Sequence, residues 1–168
     1  MHESELNMML VNGFRRLGWH AHKIYDGSSF GRKCEQPYDS FTFTDGFPVA
    51  IEGKAIRPTG KKKQYTSFRF DNIEPHQIDQ LQGADIAGGG FIALYAYTPY
   101  KLCRVTFVHI ADICARLEAG QRNITAEELE EFTWYDRLKD AFIFPQDLAE
   151  SFRIMARGAT EAGGPNED

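Results

Sequence analysis

The chain has 168 residues, enough for one domain with a sizeable core, and 24 Asp and Glu against 19 Lys and Arg give it a formal net charge of −5. That balance argues against binding to nucleic acid through overall charge, and the scattered Cys34, Cys103 and Cys114 give neither a disulfide framework nor a zinc cluster. No apolar run approaches a membrane span, and the start MHESELNMML lacks the basic-then-apolar order of a signal peptide, so a cytosolic protein is expected.

From Glu3 to Leu17 the apolar residues Leu6, Met9, Leu10, Phe14 and Leu17 recur at spacings of three and four, which predicts an amphipathic helix stopping at Gly18. Glu5 lies early on it, beside the apolar stripe. Trp19 to Ile24 alternates as a first strand, with His22 and Lys23 near its end. Tyr25 to Gln36 has no period and reads as a loop that carries Arg32 and Lys33.

The stretch PYDSFTFTDGFPVAIEGK, Pro37 to Lys54, reads as two strands joined by a hairpin at Asp45-Gly46. Glu52 and Lys54 are two apart and project from one side of their strand, while Gly53 points away and leaves its backbone carbonyl accessible. Pairing across the turn brings Asp39 towards Glu52. Two carboxylates and a carbonyl make a hard-oxygen site suited to magnesium or manganese, with Lys54 beside it for a phosphate or a metal-bound water. Taken alone, the same residues also suit a solvated hairpin face with a surface ion pair.

Lys54, Arg57, Lys61, Lys62, Lys63 and Arg69 fall within one short stretch, whereas acids gather between Glu118 and Glu150 and in the tail. A local patch of this kind can bind phosphates on an acidic chain, and around Pro58-Thr59-Gly60 it equally suits a solvated loop. Ser67 to Phe70 reads as a short strand. A helix follows with Pro75 in its first turn, Asp71 or Asn72 as caps, Gln77 near its start, and Ile78, Leu81 and Ile86 as a sparse apolar face. Gly88-Gly89-Gly90 is a helix-to-strand turn, since no GK[ST] follows, and FIALYAY is a buried strand.

Cys103 to His109 predicts another strand and Ile110 to Leu117 a helix. Thr125 to Glu128 resembles a capping box opening a short acidic helix, Trp134 and Tyr135 pack on the core, and a last helix spans Gln146 to Ala156. Residues 157–168 form a small, polar, acidic tail that is expected to be disordered. One domain over 1–156 is expected, an α/β fold with a central mixed β-sheet flanked by helices.

Asp39, the IEGK strand, FRFDNIEPHQIDQL and GGGFIALYAY together resemble the RecU-type Holliday junction resolvases of bacteria and phages, in the PD-(D/E)XK nuclease superfamily. The resemblance covers residues 1–97 and includes the opening ELN, His22-Lys23 and His76-Gln77. Tyr38 stands between Pro37 and Asp39, a departure from the superfamily's Pro-Asp pair.

What the resemblance implies is a restriction-endonuclease-like fold and a homodimeric, magnesium-dependent endonuclease cutting four-way DNA junctions. Asp39, Glu52 and the Gly53 carbonyl would hold the metal, Lys54 would act on the phosphate or water, and Gln77 would position the water or the metal shell. For the helix-one acid Glu3 and Glu5 both qualify, and the distance to Gly18 favours Glu5. Arg57, Lys61, Lys62, Lys63, Arg69, Lys23, Arg32 and Lys33 would contact DNA. A recombinase is an admissible protein partner. The other readings are a restriction-type nuclease or exonuclease on the same fold, and a non-catalytic DNA-binding or recombinase-modulating protein.

Overall fold

The structure, a computed structural model, describes residues 2–24, 38–44, 46–56, 67–98 and 102–161. The loop with Arg32 and Lys33, the basic residues Arg57 and Lys61 to Lys63, Cys34, Asp45 and the end of the tail lie outside these.

Helix α1 (Glu3–Arg16) leads into β1 (His20–Lys23), followed by the hairpin β2 (Ser40–Thr44) and β3 (Phe47–Ile56). Next come β4 (Phe68–Arg69), a single 3-10 turn, α2 (Pro75–Ala87), β5 (Gly89–Thr98), β6 (Leu102–His109) and α3 (Ile110–Glu118). The remainder is β7 (Asn123–Ile124), α4 (Ala126–Glu130), β8 (Tyr135–Leu138), β9 (Ala141–Phe142) and α5 (Leu148–Glu161). The main sheet has the order β1-β2-β3-β5-β6-β8-β9, and β4 pairs with β7 apart from it. All its pairs whose register is described are antiparallel except β3 with β5, which run parallel and are joined through α2. The expected α/β fold with a mixed sheet flanked by helices is therefore what the chain adopts.

Alternation along β3 divides the interior. Val49 and Ile51 face a core built with Leu6, Leu10 and Phe14 of α1 and Phe152 of α5. Ala50 and Ile56 face a second core with Leu81 of α2, Ile113 of α3 and Leu129 of α4. At the C-terminal end of α2, Asp85 Oδ1 accepts from the Gly90 N–H at 3.0 Å and lies 2.5 Å from Nε2 of buried His109. The pair ties the helix to the start of β5 and the end of β6.

Several expected details differ. β4 is only two residues long and gives way to the turn at Phe70, and α2 is capped at Glu74, directly before Pro75, rather than at Asp71 or Asn72. Helix α5 continues past Ala156 to Glu161. β7, β8 and β9, each of two to four residues, are too short for a hydrophobic period to reveal.

The triple glycine has a packing cause. A Cβ at Gly90 would lie 2.2 Å from the carbonyl oxygen of Leu81, so α2 rests directly on the β5 backbone. Gly83, exposed on the same helix, has open space around it. The same substitution should therefore act in opposite directions: in urea unfolding, Gly90→Ala is expected to lose about 1–3 kcal/mol by overpacking, and Gly83→Ala to gain roughly 0.5–1 kcal/mol from helix propensity.

Candidate active site

β2 pairs with β3 only as far as Ser40 opposite Ile51, so Glu52 to Ile56 extend beyond the end of their neighbour. Backbone groups alternate between the two edges of a strand, and those of Gly53 and Ala55 face the edge that β2 has left. Two carboxylates fill the gap. Asp39 Oδ2 accepts the Gly53 N–H at 2.9 Å, and Glu3 Oε2 accepts the Ala55 N–H at 3.2 Å. The Gly53 carbonyl faces this same edge.

Glu52 and Lys54 lie on the α2 side of β3. Lys54 Nζ is 2.9 Å from Glu52 Oε1, and the two side chains are only 15% and 6% exposed. Gln77, in the first turn of α2, also donates its amide to Glu52 Oε1. The Gln77 oxygen accepts the Glu74 N–H at 3.0 Å, which fixes the amide with its nitrogen towards Glu52. Asp39, Glu52, Lys54 and Gln77 are thus brought together around one end of β3.

The helix-one acid differs from the expectation. Glu5 turns back to accept the N–H of His2 at 2.7 Å, a helix-capping contact, and the carboxylate that reaches β3 belongs to Glu3. The cause is helical phase: Glu3 is four residues before buried Asn7 and shares its face, whereas Glu5 is rotated away. Of the expected DNA contacts within the described residues, Lys23 is bonded to the carbonyl and hydroxyl oxygens of Ser4, tying β1 to the start of α1. Arg69 pairs with Asp71 at 2.5 Å on the exposed side of β4.

Charge crowding marks the cluster. Burial first, then the Asp39 charge, pushes the Glu52 carboxyl up to about 7, against the lowering effect of Lys54. Burial and Asp39 also raise Glu3. Among the described residues no three His, Cys, Asp or Glu side chains stand close enough together to hold a metal ion by themselves. The donors are nevertheless hard oxygens, and they carry more negative charge than Lys54 balances. Donors of that kind have the chemistry that magnesium or manganese takes, with the Gly53 carbonyl and water left to complete a shell.

Two residues outside the sequence-based set belong here. Buried Asn7 lies over Gly53, and its Oδ1 accepts the hydroxyl of Tyr95 at 2.5 Å. The charges of Asp39, Glu3 and Glu52 add to burial in pushing the Tyr95 phenol well above its ordinary range, so it remains an O–H donor. The available signal was a polar side chain inside each apolar pattern, Asn among Leu6, Leu10 and Val11, and Tyr within FIALYAY. A cavity of about 710 Å³ between β6, α3 and α5, lined by Phe107, Ala111, Ile154 and Met155, contains none of the clustered acids.

No protein-family model matches the sequence, and no curated protein does. Among solved structures the chain is similar to Archaeoglobus fulgidus Hjc, a Holliday junction resolvase from an archaeal hyperthermophile, with 15% identity, a TM-score of 0.41, and coverage of 83% of this chain and 93% of that one. So loose a likeness transfers neither residues nor activity.

The raised carboxyls predict a pH-dependent stability. Between the ordinary value of 4.5 and the folded value of about 7, the native state holds a proton on Glu52 that the unfolded chain has released, so stability falls as pH rises through this window. With EDTA present, urea unfolding of the wild type should lose on the order of 2–3 kcal/mol between pH 4.5 and 7. Glu52→Gln should flatten most of that slope, whatever its absolute stability, leaving the smaller share of Glu3.

Proposed function

We propose that this chain is a magnesium-dependent endonuclease that resolves four-way DNA junctions, a RecU-type resolvase of the PD-(D/E)XK superfamily from a bacterium or phage, working as a homodimer. The observation that carries the reading is the gathering of Asp39, Glu52, Glu3 and Lys54 at the open end of β3. A structural hairpin has no need of a buried acid whose carboxyl is pushed up to about 7, with two further acids and a lysine beside it. The α/β layout and the motifs from Asp39 to Tyr97 support the same reading.

Asp39, Glu52 and the Gly53 carbonyl would hold magnesium or manganese, with Glu3 completing the set. The bound ion would supply an activated water near neutral pH and relief of charge on the phosphate. Lys54, paired with Glu52 at 2.9 Å, would hold its ammonium against the scissile phosphate or help to deprotonate the water. Gln77 keeps Glu52 Oε1 engaged and so orients the carboxylate.

Arg57 and Lys61 to Lys63 would grip backbone phosphates together with Arg32, Lys33, Lys23 and Arg69, giving binding that weakens steeply with salt and reads shape rather than base sequence. A dimer with a two-fold axis presents two such sites to two opposed strands of a junction, which is what symmetrical cutting requires.

The test is cleavage of a labelled synthetic four-way junction in magnesium beside a linear duplex of the same sequence. Paired nicks at symmetry-related positions are expected from the wild type, with Asp39→Asn and Glu52→Gln slower by about a hundredfold or more. Glu3→Gln is expected to slow cleavage about tenfold or more, whereas Glu5→Ala should cost only about 0.5–1 kcal/mol of stability through the lost cap. Junction binding without cleavage in magnesium or manganese would overturn the catalytic reading, and equal digestion of duplex would overturn the junction specificity.

A further inference from the structure

Asn7 is an uncharged polar residue within the buried face of α1, between Leu6 and Leu10, and is only 3% exposed. Its Oδ1 accepts the hydroxyl of Tyr95, itself fully buried in the middle of β5. The carboxamide lies hard against Gly53: a Cβ there would be 2.2 Å from Asn7 Oδ1 and 2.7 Å from the Tyr95 ring. One helical turn before Asn7, Glu3 accepts the N–H of Ala55, two residues beyond Gly53. The two steps match in length, since four helical residues rise about 6 Å and two strand residues about 6.6 Å. Asn7 on Gly53 and Glu3 on Ala55 therefore form two rungs of one register between α1 and β3, with the helix antiparallel to the strand.

We infer that Asn7, held by Tyr95, is a positioning residue that sets the register of α1 on β3 and thereby places the Glu3 carboxylate at the site. It touches neither substrate nor metal. Its action is geometric. α1 packs on the sheet through Leu6, Leu10 and Phe14, apolar contacts that tolerate sliding, and a directional hydrogen bond specifies one position where they do not. Gly53 has a second duty here besides offering its carbonyl, because any side chain at 53 would displace Asn7 and lift the helix. The inference rests on the nuclease reading only for its effect on cleavage; the register itself does not depend on it.

The test uses Tyr95→Phe and the double variant Asn7→Leu with Tyr95→Phe. The first leaves Asn7 Oδ1 without its donor. The second replaces both polar partners by apolar groups of similar shape, a change that is close to neutral for stability, so a folded protein without the pin is available even if the first is weakened. Two readouts are taken on each protein: hydrogen exchange of the Ala55 amide relative to that of Ile92 in the same sample, and the magnesium concentration for half-maximal junction cleavage.

Both variants are expected to speed relative Ala55 exchange about tenfold and to raise the magnesium requirement about tenfold. In a Glu3→Ala background, which removes the acceptor itself, neither change should add further, since the effect runs through Glu3. A purely structural role would speed the exchange of both amides together and leave the ratio unchanged. Unaltered Ala55 exchange and magnesium dependence in the folded double variant would overturn the inference, as would full additivity with Glu3→Ala. If the wild type cut no DNA, the nuclease reading would fail, and the positioning inference would stand or fall on the Ala55 exchange ratio alone.

Discussion

The site depends on an unfinished strand pair. β3 runs five residues past the point where β2 stops, and the buried or half-buried backbone groups on that edge gain by finding partners. The chain answers with side-chain carboxylates instead of another strand, Asp39 on Gly53 and Glu3 on Ala55. A hydrogen-bonding need of the sheet thus fixes where the acids stand. Burial first, and then their mutual repulsion, raises the carboxyls of Glu52 and Glu3.

Both faces of the sheet contribute to this edge through close approach. On one side α1 comes down on Gly53 through Asn7, carrying Glu3. On the other α2 lies against the backbone of Gly90, and its first turn delivers Gln77 to Glu52. Asp85 and His109 anchor the far end of α2, so its amino end is held from behind. Lys54 and Glu52, two apart on one face of β3, form the only part of the cluster that a single element supplies.

The separation of charge and packing along β3 is sharp. Val49, Ile51 and Ala50 are buried in the two cores, and within one further residue the strand carries Glu52, 4% exposed, with an ion pair in place of apolar neighbours. A low-dielectric wall next to an acidic cluster strengthens every electrostatic interaction there. It also raises the cost of holding the acids without a counter-charge, a cost that Lys54 offsets only in part.

The hairpin, the Glu52 and Lys54 pair on one face, the approach of Asp39, the helix opening at Pro75 with Gln77 and the glycine turn into a buried strand were all legible, because strand alternation, helical period and turn chemistry are local properties of the chain. The short strands β7 to β9 were not, since they hold no period of their own and form only against β4, β6 and each other. Nor was the choice between Glu3 and Glu5. Both lie near the start of the same helix, and the distance to its end does not separate them. What separates them is the phase of α1 against β3, set by Asn7, Tyr95 and the absence of a side chain at Gly53. The sequence by itself determined which residues could form the site and which elements would carry them; the tertiary structure alone decided which acid arrives, because that depends on a contact between residues 88 apart in the chain.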